Sequence, residues 1–283
     1  MKNIRNIPFL MIALHLLASA GAMAQDTVFL DKPHSRPFLT VFKPTGKTTG
    51  SAVIICSGGS YRWTLDGAEG IPAANLLARN GISAFVLDYR LPAGHDSIPL
   101  MDAQAAIAWV RRHAKQFVIK ENEVGIMGFS AGGHLVSSIG THFRERYGNT
   151  PEGANLRPDF MVLVYPVISM TDGLTHADSK NNFLGNAATA AQVRDFSNEL
   201  QVTDDTSPAY IVAAMDDGIV NVSNSLYFSA ALLQHRVKSD LFLYASGGHA
   251  FGIKNQAAKV QWTDDCIRWI KTGAWRENKN SNK

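Results

Sequence analysis

The chain has 283 residues, of which 46% are hydrophobic and 18% charged, enough apolar material for the core of one large globular domain. When Lys2 and Arg5 of a predicted leader are set aside, 25 of the 27 basic residues remain against 24 acidic ones. A net charge this close to zero creates no field that attracts nucleic acid or an anionic membrane surface, so we expect neither as a partner.

The N-terminus has the pattern of a secretory signal peptide. Lys2 and Arg5 precede an apolar run from Ile7 to Ala20, and Ala22-Met23-Ala24 supplies small residues at the spacing that signal peptidase reads. The run is shorter than the ~20 residues of a membrane-spanning helix. We therefore predict a signal peptide over residues 1–24, a mature chain over residues 25–283, no membrane span, and export to the periplasm or the medium.

The two cysteines leave one structural question open. An exported chain could join Cys56 to Cys266 in a disulfide. Cys56 closes an apolar, strand-like run, however, and is more simply explained as a small buried residue. We favour the buried thiol and keep the disulfide as the alternative.

Strand-like runs recur along the mature chain, and several are continuously apolar, as expected for strands that are covered on both faces. In chain order they are Thr27–Leu30, Phe38–Phe42, Ala52–Cys56, Ser83–Leu87, Val124–Met127, Phe160–Tyr165, Tyr210–Ala214 and Leu241–Tyr244.

Helical patterns, with apolar residues three and four positions apart, lie between the later strands. They are Ala68–Arg79, Pro99–Lys115, Gly132–Arg146, Val222–His235 and Ala257–Lys271. Strands that alternate with helices predict a mostly parallel, eight-stranded α/β sheet flanked by helices. No helix separates the first two strands, which we expect to form an antiparallel pair at one edge. Residues 166–208 are long, polar and irregular, and we interpret them as an insertion over the site after the sixth strand, not as a second domain.

The stretch Gly128-Phe129-Ser130-Ala131-Gly132 follows a predicted strand and opens a predicted helix. Gly-x-Ser-x-Gly in that setting is typical of a nucleophile elbow, a sharp turn that exposes one serine above the carboxyl end of a sheet. The glycines allow strained dihedral angles and a close approach of strand and helix. We therefore predict Ser130 as a nucleophile.

A serine nucleophile needs a base and a carboxylate that orients the base, and in this fold they follow later strands in the order Ser, Asp, His. His249 lies in a glycine-rich loop after the last strand, and we predict it as the base. Asp216 and Asp217 both follow the seventh strand, and we favour Asp217 as the orienting acid. We expect His134, one turn into the helix after Ser130, to pack within the fold.

The negative charge that develops on an attacked carbonyl requires hydrogen-bond donors. The amide of Ala131, directly after the serine, is one candidate, and Gly59 or Ser60 in the loop after the third strand supplies the other. The same loop does not continue as a phosphate-binding or dinucleotide-binding loop, and the sequence has no metal-ligand motif. We predict neither a cofactor nor a metal.

With these residues in place, the chain resembles the α/β-hydrolase serine esterases, close to the secreted carbohydrate-esterase branch of acetyl xylan esterase-like and feruloyl esterase-like proteins. The likeness covers almost the whole mature chain, and Ser60 stands where these proteins usually have glycine. The matching stretches are Ser57–Tyr61, Asp88–Leu91, Asp102–Ala106, Trp109–Arg111, Gly128–Leu135, Tyr165–Met170, Thr175–Ala177, Asn182–Gly185, Asp216–Asp217 and Gly248–Gly252.

The resemblance implies an acyl ester on a plant polysaccharide or its oligosaccharides as substrate, with acetyl as the favoured acyl group. Tyr61, Trp63 and His176 are candidate substrate-binding residues, although His176 could equally be a loop histidine satisfied by the backbone. The alternatives are a general short-chain carboxylesterase, a prolyl oligopeptidase-like peptidase on the same fold, and a carbohydrate-binding pseudoenzyme. The sequence leaves the oligomeric state open.

Overall fold

The computed structural model describes residues 26–276, so the predicted signal peptide lies outside the described residues. Within them, eight strands form one sheet in the order β1-β2-β4-β3-β5-β6-β7-β8. Strand β2 pairs antiparallel with β1 and β4, and all other pairs are parallel. The predicted sheet and its antiparallel edge are therefore confirmed. The strands are β1 (Asp26–Phe29), β2 (Phe38–Phe42), β3 (Ala52–Cys56), β4 (Ser83–Asp88), β5 (Val124–Phe129), β6 (Met161–Val164), β7 (Ala209–Ala214) and β8 (Ser239–Tyr244).

The described part of the chain contains seven α-helices: α1 (Gly70–Arg79), α2 (Ser97–Arg112), α3 (Ala131–Thr141), α4 (Ala177–Leu184), α5 (Ala190–Asp195), α6 (Ser223–Gln234) and α7 (Trp262–Thr272). The last helix is shorter than predicted because its expected first turn is tied up by a side chain. Gln261 accepts a hydrogen bond from the amide of Asn255 and donates to the carbonyls of Asn255 and Ala258. These backbone groups are thus satisfied outside the helix.

The segment between β6 and β7 is more regular than expected, and the prediction of an irregular stretch was wrong. It contains α4, α5 and a short 3₁₀ helix, Asn198–Leu200. A capping box starts α5: the Thr189 hydroxyl accepts the backbone amide of Gln192, and the Gln192 side-chain oxygen accepts the backbone amide of Thr189. Helix α4 is polar apart from its end, where Phe183 and Leu184 are buried in the core. With so few apolar positions, α4 shows no helical period in the sequence.

Apolar layers cover both faces of the sheet. One face packs against α2, α3 and α6, and the other against α1 and α7. Cys56 belongs to the first layer and Cys266 to the second, so the sheet separates them and both are free, buried thiols. Burial raises the pKa of each thiol well above its usual value and keeps it protonated. The favoured interpretation of Cys56 as a small core residue is confirmed.

The parallel strands place three loops at one end of the sheet. Ser130 directly follows β5, Asp217 lies in the loop after β7, and His249 lies in the loop after β8. This edge is where ligands bind in open α/β sheets. Across residues 26–276, none of the helices has the length and apolar character needed to span a bilayer.

Candidate active site

Ser130 occupies a strained turn between β5 and α3. Its backbone has φ 50° and ψ −118°, a conformation that costs roughly 1–3 kcal/mol and persists only where the surroundings impose it. The surroundings are two close approaches. A Cβ at Gly128 would overlap the carbonyl oxygen of Gly132, and a Cβ at Gly132 would overlap that of Cys56. Only glycine fits at both positions, and the result is a serine held at the end of the strand.

The side chains of Ser130, His249 and Asp217 form one hydrogen-bonded chain. His249 Nε2 lies 2.9 Å from Ser130 Oγ, and His249 Nδ1 lies 2.7 Å from Asp217 Oδ2. The other carboxylate oxygen of Asp217 accepts the amides of Ile219 and Val220, each at 2.9 Å. The arrangement sets a base against a hydroxyl and an oriented carboxylate behind the base, the geometry that activates a serine.

The environment keeps Asp217 ionised. Burial by itself tends to raise its pKa, but the hydrogen bonds from His249, Val220 and Ile219 outweigh burial, and the pKa lies below its usual value. The carboxylate is therefore charged at neutral pH and can stabilise an imidazolium. The neighbouring Asp216 is exposed and accepts the amides of Gly247 and Gly248, in the loop that carries His249. The two aspartates thus have different contacts, although they are adjacent in sequence.

The loop after β3 lies directly against Ser130. A Cβ at Gly58 would come within 2.9 Å of Ser130 Cβ. The next residues, Gly59 and Ser60, have φ of 121° and 57°, which turns the backbone sharply. Between residues 26 and 276 we find no protein acceptor for the amides of Gly59, Ser60 and Ala131. These free donors beside the serine are the groups that an oxyanion requires.

Glu69 is a buried carboxylate that the sequence analysis did not single out. It is 3% exposed; its Oε2 accepts the Gly58 amide at 2.6 Å and its Oε1 accepts the Tyr165 hydroxyl at 3.0 Å. That hydroxyl accepts the Gly252 amide at 3.2 Å, and the Tyr165 ring centroid lies 4.7 Å from that of His249. Glu69 therefore connects the loop beside Ser130 with the loop that carries His249.

Burial raises the pKa of Glu69, and the hydrogen bonds from Gly58 and Tyr165 oppose that effect. Nothing in the sequence around Glu69 indicates this position, because an acidic residue just before a helix is ordinary. Tyr165, by contrast, lies in one of the stretches that match the carbohydrate esterases.

His134 lies inside the fold and does not face the serine hydroxyl. It is fully buried, with Nδ1 2.9 Å from the Tyr61 hydroxyl and Nε2 2.9 Å from the Phe196 carbonyl. A carbonyl only accepts, so Nε2 carries the proton and Nδ1 accepts from Tyr61. Burial lowers the pKa of His134 to about 4, which leaves it neutral. His134 is therefore a packed helix residue that ties the insertion to the loop after β3.

The three candidate substrate-binding residues lie in different surroundings. Tyr61 is 2% exposed, and its ring packs 4.9 Å from that of Phe183, so it belongs to the interior and the prediction that it contacts substrate does not fit. Trp63 is 50% exposed and packs against Gly59 at the rim of the site. His176 is half-buried just before α4, where Nδ1 lies 2.9 Å from Ser179 Oγ. Burial lowers the pKa of His176, and the nearby charge of His249 acts in the same direction.

The doubly covered, mostly parallel sheet and the serine at its central strand end define an α/β hydrolase. A family model confirms this assignment and narrows it. Residues 39–232, more than half of the chain, match the BD-FAE family, and the chain belongs to that family.

Two relatives share substantial sequence with the chain. It is 38% identical over 229 residues to an acetylxylan esterase of Xylanibacter ruminicola, and 34% identical over 217 residues to the endo-1,4-beta-xylanase B of Butyrivibrio fibrisolvens. These matches cover 79% and 75% of this chain but only 46% and 34% of the two relatives, so the chain spans half of their length or less.

Solved structures extend the likeness to nearly the whole fold. An acetyl ester-xyloside bifunctional hydrolase from Caldicellulosiruptor lactoaceticus superposes with a TM-score of 0.79 at 33% identity, covering 89% of this chain and 97% of that one. A carboxylesterase from Lactobacillus plantarum superposes with a TM-score of 0.74 at 24% identity over 90% of this chain and 99% of that one, which shows the shared fold.

Proposed function

We propose that the protein is a serine esterase that removes acyl groups, in the first place acetyl, from a plant polysaccharide such as xylan or from its oligosaccharides. The observation that carries the proposal is the hydrogen-bonded chain of Ser130, His249 and Asp217 beside the free amides of Gly59, Ser60 and Ala131. The relatives supply the substrate class, since one is an acetylxylan esterase and another an acetyl ester-xyloside hydrolase.

The proposed reaction is acyl transfer in two halves. Ser130 Oγ attacks the ester carbonyl carbon while His249 Nε2 takes the hydroxyl proton, and Asp217 stabilises the charged imidazole. The carbonyl oxygen becomes an oxyanion that accepts hydrogen bonds from the amide of Ala131 and that of Gly59 or Ser60. The bond to the sugar oxygen then breaks, and His249 returns its proton to that oxygen, which releases the sugar hydroxyl and leaves an acyl-enzyme.

Water completes the cycle. His249 takes a proton from a water molecule as the water oxygen attacks the acyl carbon of the ester on Ser130. The second tetrahedral species collapses, Ser130 Oγ leaves and takes the proton from His249, and the carboxylic acid departs. Each half uses the same base and the same oxyanion donors, so the loss of either disables both.

We also propose that the protein works outside the cytoplasm, as the leader pattern over residues 1–24 indicates, with residues 25–283 as one catalytic domain and 166–208 as its insertion. N-terminal sequencing of the protein recovered from the periplasm or the medium should begin at Gln25. Protein found only in the cytoplasm, with Met1 still at its N-terminus, would contradict export.

The test of activity compares ester classes. Purified protein should release acetate from acetylated xylo-oligosaccharides faster than it cleaves feruloylated oligosaccharides or p-nitrophenyl butyrate. Ser130→Ala should lower kcat by about 10⁴-fold or more. Ser229→Ala, on the outer helix α6, is the matched control and should act like the wild type.

Each other outcome would favour one of the alternative functions. Cleavage of p-nitrophenyl esters without acetate release from the oligosaccharides would indicate a general short-chain carboxylesterase, and cleavage of proline-containing peptides would indicate the peptidase. Sugar binding without any hydrolysis would indicate a pseudoenzyme. An unchanged rate in Ser130→Ala would overturn the mechanism.

A further inference from the structure

A polar cleft opens between the insertion and two loops at the carboxyl end of the sheet. Its volume is about 410 Å³, near the lower end of the ~300–1,000 Å³ typical of small-molecule sites. Arg62 forms one wall and the turn at Gly94 another, while Asp178, Asn181 and Asn186 come from α4 and the residues after it. No residue of this cleft belongs to the proposed Ser–His–Asp triad or its oxyanion donors.

The polar groups of the cleft are largely unused by the protein itself. Within residues 26–276, the side chains of Arg62, Asp178, Asn181 and Asn186 make no hydrogen bond to another protein group. Arg62 lies 5.8 Å from the centroid of the Trp63 ring, which is itself half exposed. The cleft thus presents guanidinium donors, carboxylate acceptors and two amides that do both, next to an exposed aromatic face.

These groups fit a neutral ligand rich in hydroxyls. One positive and one negative charge cancel, so the cleft has no net charge with which to attract phosphate or a uronate. Each sugar hydroxyl is both donor and acceptor, and a mixed set of amides, guanidinium and carboxylate satisfies both roles. A purely apolar acyl chain, by contrast, would leave the polar groups without partners at a cost in binding free energy.

Contacts on one side join the cleft to the catalytic serine. The side-chain nitrogen Nδ2 of Asn182 donates to the Ser60 carbonyl at 2.8 Å, and the backbone carbonyl of Asn182 accepts the Gly94 amide at 3.0 Å. Ser60 lies in the loop whose Gly58 packs on Ser130. The wall formed by Arg62 therefore continues into the loop that carries the free amides beside the serine.

The opposite wall of the cleft comes from α4. Asp178 lies in the first turn of this helix, two residues after His176, and Asn181 lies one turn further on. The cleft is thus bounded on one side by the loop beside Ser130 and on another by α4. A ligand in the cleft would adjoin a sugar whose ester reaches the serine.

We propose that this cleft is a glycosyl subsite, which binds a neutral sugar unit next to the sugar that carries the ester. The proposal rests on the proposed esterase function for its biological setting, but its test does not. The protein recognises the sugar through Arg62, Asp178, Asn181 and Asn186, whereas the triad acts only on the ester. Occupation of the cleft makes an acylated oligosaccharide a better substrate than a small ester.

The direct test measures sugar binding without any ester. Wild-type protein is titrated with unsubstituted xylo-oligosaccharides, and in parallel with cello- and manno-oligosaccharides, by calorimetry or NMR. The double variant Asn181→Ala/Asn186→Ala should raise the Kd for the best of these sugars by about 10-fold or more, since each lost hydrogen bond weakens binding by roughly 2- to 10-fold. Asn122→Ala, an exposed asparagine at the opposite end of the sheet, is the matched control and should keep the wild-type Kd.

The outcomes separate the two proposals. Failure of all three sugar classes to bind, or an unchanged Kd in the double variant with its fold intact by circular dichroism, overturns the subsite. Absence of acetate release from acetylated oligosaccharides overturns the proposed function alone. Where both hold, the ratio of kcat/KM for acetylated oligosaccharide to kcat/KM for p-nitrophenyl acetate should fall by about 10-fold in the double variant.

Discussion

Two regions adjoin the loop after β3, and they are built in opposite ways. In the buried part of the site, the side chains of Asp217, Glu69 and His134 each make hydrogen bonds to two or more partners. In the cleft, the side chains of Arg62 and Asn181 are exposed and make no hydrogen bond to protein among the described residues. These buried side chains are therefore ordered before any substrate arrives. The exposed polar side chains of the cleft are free to bond water until a ligand replaces it. Substitutions of the buried side chains should change the catalytic rate and the stability of the fold. Substitutions in the cleft should change the selectivity among substrates.

The adjacent aspartates give the largest expected effect. Asp217→Asn keeps the side-chain shape but removes the charge that stabilises the imidazolium of His249, so kcat should fall by about 10³–10⁴-fold. Asp216→Asn is the matched control; this exposed side chain only accepts amides of the His249 loop, and its loss should cost less than about 10-fold. Steady-state hydrolysis of p-nitrophenyl acetate measures both. Equal losses would remove the distinction between buried and exposed acid.

Glu69→Gln should have the next largest effect. The carboxylate offers one oxygen to the Gly58 amide and another to the Tyr165 hydroxyl, whereas glutamine has a single acceptor oxygen. Glutamine can accept from only one of these two donors, so one bond is lost or reversed, and without the negative charge the loop beside Ser130 is held less firmly. We expect kcat to fall by about 10–100-fold while KM changes by less than about 3-fold.

Tyr165→Phe is the companion variant, because it removes the hydroxyl bonds to Glu69 and Gly252 but keeps the bond from Gly58 to Glu69. Its loss of kcat should be smaller than that of Glu69→Gln. If Glu69→Gln lowers the melting temperature and leaves kcat unchanged, Glu69 serves stability alone and has no positioning role.

The proposed triad was accessible to sequence reasoning because each member follows a strand. Continuous apolar runs predicted β5, β7 and β8, and the glycine-rich turns after them pointed to Ser130 and His249. The order Ser, Asp, His then selected the aspartate pair. The local pattern favoured Asp217 over Asp216 but could not show their different roles, since these depend on contacts with the His249 loop about 30 positions away.

The supporting residues could not be found in this way. Glu69 acquires its place from Tyr165, 96 residues further along the chain, and no local pattern encodes that contact. Tyr61 follows a glycine loop and looks like a substrate contact, but its partner His134 lies 73 residues away and draws the hydroxyl into the core. Long-range hydrogen bonds determine the positions of both side chains, whereas the spacing of apolar residues in the sequence predicts only local structure.

Tyr61→Phe carries the smallest of these effects and locates the boundary between core and cleft. The variant keeps the ring packing but leaves Nδ1 of His134 buried without a donor, which should lower the free energy of unfolding by about 1–2 kcal/mol. Asn181→Ala, an exposed position in α4, should change it by less than about 0.5 kcal/mol. Urea unfolding followed by tryptophan fluorescence measures both. A Tyr61→Phe protein with wild-type stability but a raised KM for acetylated oligosaccharides would instead place Tyr61 in contact with the sugar. The wall of the cleft would then extend inward as far as Tyr61 and its partner His134.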